Sequence, residues 1–173
     1  ALRIYRNQEV LHRAFIVTQS EIFTDENAMR ERLWRPGFDP RIVILLENLP
    51  VPPYEPAISG EARITRYEPS NVTIEVNLTG GSGFLVLADI YYPGWDVRVD
   101  GKEQEIFRAN LALRAVQLGE GFHAVEFSYS PKYFPVAMGA SIGALLVCIS
   151  VFVYSGLSAG RQQRLRRAAK TTL

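Results

Sequence analysis

The chain has 173 residues, and with 47% hydrophobic and 21% charged residues its composition favours a packed core and excludes a wholly disordered protein. The formal net charge of +1 conceals an asymmetry. Residues 161–173 carry five basic side chains and no acid, which leaves 14 basic and 18 acidic residues, or about −4, for the rest of the chain. A single cysteine, Cys148, excludes both an internal disulfide and a cysteine-based metal site.

Residues 1–49 are predicted to form a small α/β lobe. Its strand-like segments include the apolar, β-branched run RIVILLE, which is typical of a buried strand. Residues 24–34 have the pattern of one helix, because Thr24 or Asp25 can cap it, acids occupy its first turn, and a Pro-Gly pair follows it. The proline-rich segment 50–60 is interpreted as a linker or edge loop.

Residues 61–131 are predicted to form an antiparallel β-sandwich, Ig-like or jelly-roll-like. Apolar and polar residues alternate in NVTIEVNL, whereas FLVLADIYY is a nearly continuous apolar run, typical of a strand buried on both faces. Asp100 and Gly101 are a strong hairpin signal, because the central residues of such a turn require positive φ. Turns at intervals of about eight to twelve residues favour a sandwich. The predicted fold class is therefore mainly β.

A long uncharged segment runs from Tyr133 to Gly160. Its apolar part, Phe134 to Tyr154, has 21 residues. A helix of that length measures about 30 Å, which is the thickness of the hydrocarbon layer of a bilayer. We therefore predict a transmembrane helix over 132–157. A core helix of a soluble domain is the alternative, but such a helix rarely runs this long without a polar face.

Several features of this helix indicate how it is anchored. Aromatic side chains at both ends fit interfacial belts, a G-x-x-x-G pair suits packing against other helices, and basic residues follow. The residues assigned to these roles are Phe134, Gly139, Gly143, Tyr154 and Arg161. The positive-inside rule places the basic tail, 158–173, in the cytoplasm and the domain in front of the helix outside. Beside a membrane helix, a basic tail indicates anionic lipid and not nucleic acid.

Three aromatic residues at a predicted turn form the first candidate site. Tyr91, Tyr92 and Trp95 suit stacking on a sugar ring, although Trp95, at the start of a strand, also fits a core anchor. Asp100 is interpreted chiefly as a hairpin residue, and a carboxylate beside a substrate groove is the alternative. Neither a Ser-His-Asp pattern nor a phosphate-binding loop occurs in the sequence, so no catalytic residue is assigned.

A second candidate group is polar. Arg108 and Asn110, together with Arg114, suit an acidic or phosphate-bearing group. The two arginines equally suit ion pairs with neighbouring glutamates on a solvated sheet face. His123 alternates with apolar residues and is interpreted as structural. With one other histidine in the chain, no set of ligands has metal-site spacing, and no metal is predicted.

A combination of short motifs runs along the second half of the chain. It consists of Tyr92-Pro93-Gly94-Trp95, Asp100-Gly101-Lys102, Ala109-Asn110, Arg114-Ala115-Val116, Gly121 with His123, Val125 and Phe127, and Tyr129 with Pro131. With the segments YRNQEVLHRAFIV and FDPRIVILLE nearer the start, it resembles the carboxy-terminal extracytoplasmic domain of YfhO-type bacterial membrane proteins. One departure is His12, where that family commonly has proline before Arg-Ala.

The resemblance implies that this chain is the end of a longer, polytopic protein of the bacterial inner membrane. Such proteins look like membrane-embedded, GT-C-type inverting glycosyltransferases, whose catalytic acids lie in early extracytoplasmic loops and whose donor is a polyprenyl-phosphate-linked sugar. We therefore expect a non-catalytic domain that supports sugar transfer to a cell-envelope acceptor, beside the upstream helices. No cofactor is expected within the chain itself. The alternative is a binding or assembly module that recruits a protein or an envelope polymer, with no role in catalysis.

Overall fold

The computed structural model describes residues 3, 10–47, 55–131 and 133–171, with side chains of the last helix placed through residue 152 and at 154. Two units, Ala1–Ser130 and Pro131–Leu173, are distinguished. The helices within the described ranges are α1, Glu26–Leu33, and α2, Phe134–Thr171. The strands are β1 Ala14–Val17, β2 Gln19–Phe23, β3 Val43–Glu47, β4 Ser59–Glu68, β5 Asn71–Thr79, β6 Gly83–Ile90, β7 Trp95–Val99, β8 Lys102–Gln104, β9 Phe107–Ala109, β10 Leu113–Leu118 and β11 Gly121–Tyr129.

The strands form two sheets. Six of them have the order β1-β6-β10-β9-β3-β2, and five have the order β4-β5-β11-β7-β8. The pairings are antiparallel except between β2 and β3. Parallel neighbours need a crossover of a dozen or more residues, and the segment that contains α1 supplies it. The fold is therefore mainly β and sandwich-like, as predicted, with one sheet mixed instead of purely antiparallel.

The predicted amino-terminal lobe is continuous with the larger sheet. β1 pairs with β6, and β3 meets β9 where Leu46 lies opposite Ala109. Strands on both sides of the proline-rich segment thus share one sheet. The part of that segment from residue 55 onward is held to the β5–β6 turn, because the N–H of Ala57 donates to the carbonyl of Ser82 at 2.8 Å. Residues 48–54 lie outside the described ranges.

Burial follows the sequence pattern strand by strand. In β5 the alternate residues from Val72 to Leu78 face the core and are at most 1% exposed. In β6 the consecutive residues Phe84, Leu85 and Val86 are all fully buried. Leu85 packs between the two sheets, whereas Phe84 and Val86 belong to a second cluster on the other face. The prediction that this strand is buried on both faces is confirmed.

Two local signals act as predicted. Asp25 caps α1, since its carboxylate accepts from the backbone N–H groups of Asn27 at 3.2 Å and Ala28 at 3.1 Å. Asp100 and Gly101 both have positive φ, 52° and 78°, and they join β7 to β8. Asparagine and aspartate tolerate this region better than other side chains do, which is why the pair specifies the hairpin.

The second unit contains α2. Phe134–Phe152 has a mean hydropathy of 2.1, and none of it is buried within the chain, so the helix is long and apolar enough to cross a membrane. Added side-chain atoms at Gly139 and Gly143 would meet open space, which leaves this face free for another helix or lipid. The helix continues past 157 to Thr171, because arginine, glutamine, leucine, alanine and lysine favour helix.

Candidate functional site

The aromatic turn, Tyr91–Trp95, lies at the end of the β domain where the chain leaves β11. The N–H of Ser130, the residue after β11, donates to the carbonyl of Gly94 at 2.7 Å. The N–H of Tyr91 donates to the carbonyl of Ala112, at 2.6 Å, in the β9–β10 turn. Gly94 has φ of 101°, a conformation that favours glycine, and the preceding proline fits a turn. The turn is therefore fixed on two sides by backbone hydrogen bonds.

Within the aromatic turn, the side chains divide between the interior and the surface. Trp95 is partly buried, and its ring centroid lies 5.4 Å from that of Tyr129. Tyr92 also contacts Tyr129, with a centroid distance of 6.5 Å, but it remains 60% exposed. Tyr91 is 37% exposed. The geometry makes Trp95 part of the packed interior and leaves Tyr91 and Tyr92 available to a partner.

Behind Trp95 lies a buried cation. The guanidinium of Arg114 is 4.0 Å from the centroid of the Trp95 ring and 5.7 Å from that of Phe127. Its side chain is 3% exposed and pairs with the carboxylate of Asp89 at 3.3 Å. Among the described residues, Nε and Nη1 of Arg114 have no acceptor. Burial lowers the pKa of Arg114, while the Asp89 charge and Tyr67 act in the opposite direction.

Asp89 joins this buried cation to the surface. Its carboxylate, 17% exposed, also pairs with Arg13 at 3.3 Å and accepts from the Tyr67 hydroxyl at 3.2 Å. Arg13 donates to the Tyr67 hydroxyl as well and lies over its ring, 4.6 Å from the centroid. We call these four residues, Arg13, Tyr67, Asp89 and Arg114, the Asp89 cluster. It links β4, β6 and β10 to the residue before β1 at one end of the sandwich.

Sequence reasoning did not predict this cluster, although one pattern indicates its centre. In β10, the period of two places Arg114 on the same face as Val116 and Leu118, which are core residues. An arginine on that face has to be buried and needs a carboxylate. Its partner is Asp89, on the neighbouring strand, and not one of the nearby glutamates considered above.

The other predicted site residues have separate surroundings. Arg108 pairs with Glu47 at 3.1 Å and donates to the carbonyl of Leu111 at 2.5 Å. Asn110 has φ of 48° in the β9–β10 turn, and its amide oxygen accepts from the N–H of Leu45 at 2.9 Å. Both side chains thus tie the turn to β3. The turn adjoins Tyr91 through its backbone, but these polar groups point to neighbouring protein atoms.

Asp100 lies at the other end of β7 from Trp95, beside His123. Its carboxylate accepts from Nδ1 of His123 at 2.7 Å and from the N–H of Ala124 at 2.9 Å. These two bonds, the histidine first, hold the pKa of Asp100 below its usual value. Nε2 of His123 faces the carbonyl of Gly119 at 3.2 Å. Both ring nitrogens of His123 have partners, which agrees with a structural histidine. The Asp100–His123 pair does not contact the aromatic turn.

A groove lies between the two edge strands β1 and β4. Its volume is about 920 Å³, and it opens to solvent. The polar side chains around it are His12, Arg13, Arg41, Glu61 and Arg63. Arg41 and Arg63 are paired with Asp39 and Glu75. Across the described ranges, no cluster of three histidine, cysteine or acidic side chains suits a metal ion.

A β-rich domain followed by a helix long and apolar enough to cross a membrane defines the class of protein, a membrane protein with a β domain at the membrane. The chain belongs to the YfhO family of bacterial membrane proteins, whose model, described as "Bacterial membrane protein YfhO", matches residues 52–141. The match covers just over half of the chain. It includes the aromatic turn, the Asp89 cluster except Arg13, and the start of α2.

A curated protein supports the assignment. Over 66 residues the chain is 29% identical to "Uncharacterized protein YfhO" of Bacillus subtilis (strain 168). Those residues make up 38% of this chain and 8% of that protein, so the chain corresponds to a small part of its relative. No solved structure matches the chain. The predicted family and association with a membrane are therefore confirmed, and the relative's printed description gives no activity.

Proposed function

We propose that this chain is a non-catalytic extracytoplasmic domain, with its membrane anchor, that supports glycosyl transfer from a polyprenyl-phosphate-linked sugar to a cell-envelope acceptor. One observation carries the proposal. The aromatic turn, with Tyr91 and Tyr92 exposed, directly adjoins the point where the chain leaves the domain for the apolar helix. A lipid-linked sugar has its head group at the membrane surface, so a sugar-stacking turn belongs at this end of the domain.

The chemistry of the site supports substrate handling and not bond cleavage. Tyr91 and Tyr92 offer aromatic faces that suit the C–H face of a pyranose, and Trp95 behind them holds Arg114 in place. Asp100 lies at the far end of β7, and Arg108 and Asn110 are engaged with β3. We therefore narrow the candidate sugar-contacting residues to the two exposed tyrosines, with Trp95 as their support.

The proposal includes an orientation. The domain lies outside the bacterial inner membrane and the carboxy terminus lies in the cytoplasm, because five basic residues follow the apolar span within 161–173. The small-residue face at Gly139 and Gly143 packs against upstream helices of the intact protein.

The test uses the intact protein in proteoliposomes with a labelled polyprenyl-phosphate sugar and its acceptor. Removal of the segment equivalent to residues 10–130 is expected to abolish most transfer, while the remaining helices still insert. A milder variant, Tyr91→Ala with Tyr92→Ala, should raise the KM for the lipid-linked donor more than it lowers kcat. Phe122→Ala is the matched control, because Phe122 is 65% exposed at the opposite end of β11. Equal transfer with and without the domain would refute the proposal.

The groove between β1 and β4 favours a second candidate function, a binding or assembly module for a protein or envelope polymer. Edge strands expose backbone groups that an extended chain can pair with. Substitution of Val10, which lines this groove and is 71% exposed, by lysine should then weaken capture of such a partner and leave sugar transfer unchanged. Loss of transfer without loss of a partner would favour the first function.

A further inference from the structure

Three consecutive exposed residues form the tip of the β domain beside its exit to α2. Ile90 is 73% exposed, Tyr91 37% and Tyr92 60%. Two of them are tyrosines, whose rings suit an apolar surrounding and whose hydroxyls suit water. Consecutive exposed apolar side chains of this kind are suited to an interaction surface. We call these three residues the Ile90 tip.

A short tether limits how far Ser130, which is bonded beside the Ile90 tip, can lie from the start of the apolar span. The carbonyl of Gly94, two residues after the tip, is bonded to the N–H of Ser130. The apolar span begins at Phe134. Four residue steps of fully extended chain reach at most about 14 Å, whatever the orientation of the two units. The interfacial layer of head groups is itself about 5–8 Å thick on each side of the hydrocarbon.

Exposure alone does not distinguish the Ile90 tip. Ile58 and Phe122 are also exposed, at 85% and 65%, near the opposite end of the sandwich. The turns at that end are built from glycine and polar residues, at 79–82, 100–101 and 119–120. Phe122 is the second residue of β11, whereas the tether to the membrane leaves from the end of β11. The far end therefore lies the length of a nine-residue strand, about 30 Å, from the point where the tether leaves the domain.

We propose that the Ile90 tip inserts into the interfacial layer of the bilayer leaflet in which α2 begins, with lipid as its occupant. Tyrosine is enriched at this depth, and isoleucine adds buried apolar area. The insertion gives the domain a second attachment besides the covalent tether, and so fixes which end of the sandwich faces the membrane. It requires no sugar and holds whether or not the domain takes part in glycosyl transfer.

The experiment uses the full 173-residue chain reconstituted in phosphatidylcholine vesicles without any sugar. Trp34, 79% exposed, is first replaced by phenylalanine to give a parent chain that keeps Trp95. Tyr92→Trp and, as the matched control, Phe122→Trp are then added separately. Emission is compared between ordinary lipid and lipid brominated near the top of the acyl chains. The tryptophan at 92 is expected to lose most of its added emission, and the tryptophan at 122 to lose none.

A tryptophan at a second position in the tip tests whether the result at position 92 comes from a local disturbance by that substitution. Ile90→Trp should be quenched as Tyr92→Trp is, and thermal unfolding in detergent should show that every variant is folded like the parent. Equal quenching at 92 and 122 would mean that the domain has no preferred face toward lipid. Absence of quenching at both 90 and 92 would mean that the tip stays in water. Either result overturns the proposal, and neither would bear on sugar transfer, which the vesicles do not test.

Discussion

At the scale of single residues, the ion pair inside the Asp89 cluster is asymmetric. Arg114 is nearly fully buried, whereas Asp89 also has Arg13 and Tyr67 as partners at the surface. Loss of the carboxylate leaves a buried guanidinium with no counter-charge. Loss of the guanidinium leaves a carboxylate that still has two partners. Substitution of Asp89 and substitution of Arg114 should therefore change the stability of the fold by different amounts.

We predict that Asp89→Ala lowers the free energy of unfolding by about 3 kcal/mol, because breaking a buried pair from one side strands a charge. Arg114→Met should change it by only about 1 kcal/mol in either direction, since an apolar chain of similar length fills the space between Trp95 and Phe127. Denaturant unfolding of the chain in detergent measures both. Arg13→Gln is the control, expected to cost less than about 1 kcal/mol because Arg13 is 52% exposed. A larger loss for Arg114→Met than for Asp89→Ala would contradict this account.

Asp100 and His123 predict a pH dependence with a definite sign. The pKa of Asp100 is lower in the folded chain, chiefly because His123 donates to its carboxylate and also because Ala124 does. A depressed folded pKa contributes stability above the unfolded pKa of about 3.9, and this contribution is lost as the pH falls through the folded value.

Asp100→Asn isolates this charge, because asparagine also tolerates positive φ and can still accept from Ala124. The wild-type chain should have the higher Tm at pH 5 to 7, and the difference should shrink as the pH is lowered below about 4. Thermal unfolding of both chains across that range is the measurement. A difference that grows at low pH would show that the sign is wrong.

At the scale of elements, the β5–β6 turn lies close to the segment before β4. The N–H of Ser82 donates to the carbonyl of Glu55 at 2.7 Å, and a Cβ added at Gly81 would lie 2.5 Å from that same carbonyl oxygen. Gly101, in the β7–β8 hairpin, also has positive φ, but an added Cβ there would meet nothing within 4 Å. Both glycines have positive φ, 149° at Gly81 and 78° at Gly101, and they differ in their neighbours.

This comparison predicts an order of stability. Gly101→Ala should cost about 1–2 kcal/mol from the left-handed conformation alone. Gly81→Ala should cost clearly more, because the methyl group also displaces backbone and weakens the contact between 55–57 and the turn. Unfolding in denaturant ranks the two variants against the parent chain. Equal losses in the free energy of unfolding would mean that the backbone of residues 55–57 moves aside at little cost. Its contact with the turn would then contribute little to stability.

The elements that the sequence predicts well are those whose signal is local. The cap at Asp25, the hairpin at Asp100 and the buried run of β6 depend on neighbours within a few residues, and the structure confirms all three. The parallel pairing of β2 with β3 and the Asp89 cluster depend on contacts between distant segments. The alternation of apolar and polar residues along a strand does not specify which strands become neighbours. These features can therefore be seen only in the folded chain.

The same limit applies to the candidate site. Tyr91, Tyr92 and Trp95 are close in sequence and remain together, whereas Asp100 is carried to the far end of β7 by the strand between them. Arg108 and Asn110 adjoin the aromatic turn through backbone contacts, but their side chains are taken up by Glu47 and Leu45. Whether the exposed tyrosines contact a sugar stays a prediction.

At the scale of the whole molecule, the two ends of the chain carry opposite net charges. The part up to residue 132 carries about −4, and residues 161–173 carry five basic side chains without an acid. Between them lies an apolar helix whose side chains are exposed within the chain, so lipid or other helices must cover it. The positive-inside rule then predicts one orientation for the intact protein.

We predict that a cysteine at Lys102 reacts with a membrane-impermeant maleimide added to intact cells or spheroplasts, and that a cysteine at Lys170 reacts only after the membrane is opened. Both variants carry Cys148→Ala, since Cys148 lies within the apolar span, and its removal leaves the introduced cysteine as the single thiol of these 173 residues. Lys102 is exposed in the β7–β8 hairpin, so its labelling depends on the side of the membrane and not on unfolding.

Labelling of the tail in closed cells would reverse the orientation and place the aromatic turn on the cytoplasmic side. It would thereby remove the basis for an extracytoplasmic role in sugar transfer. Insertion of the Ile90 tip would survive that result, because the tether to the bilayer is the same on either side.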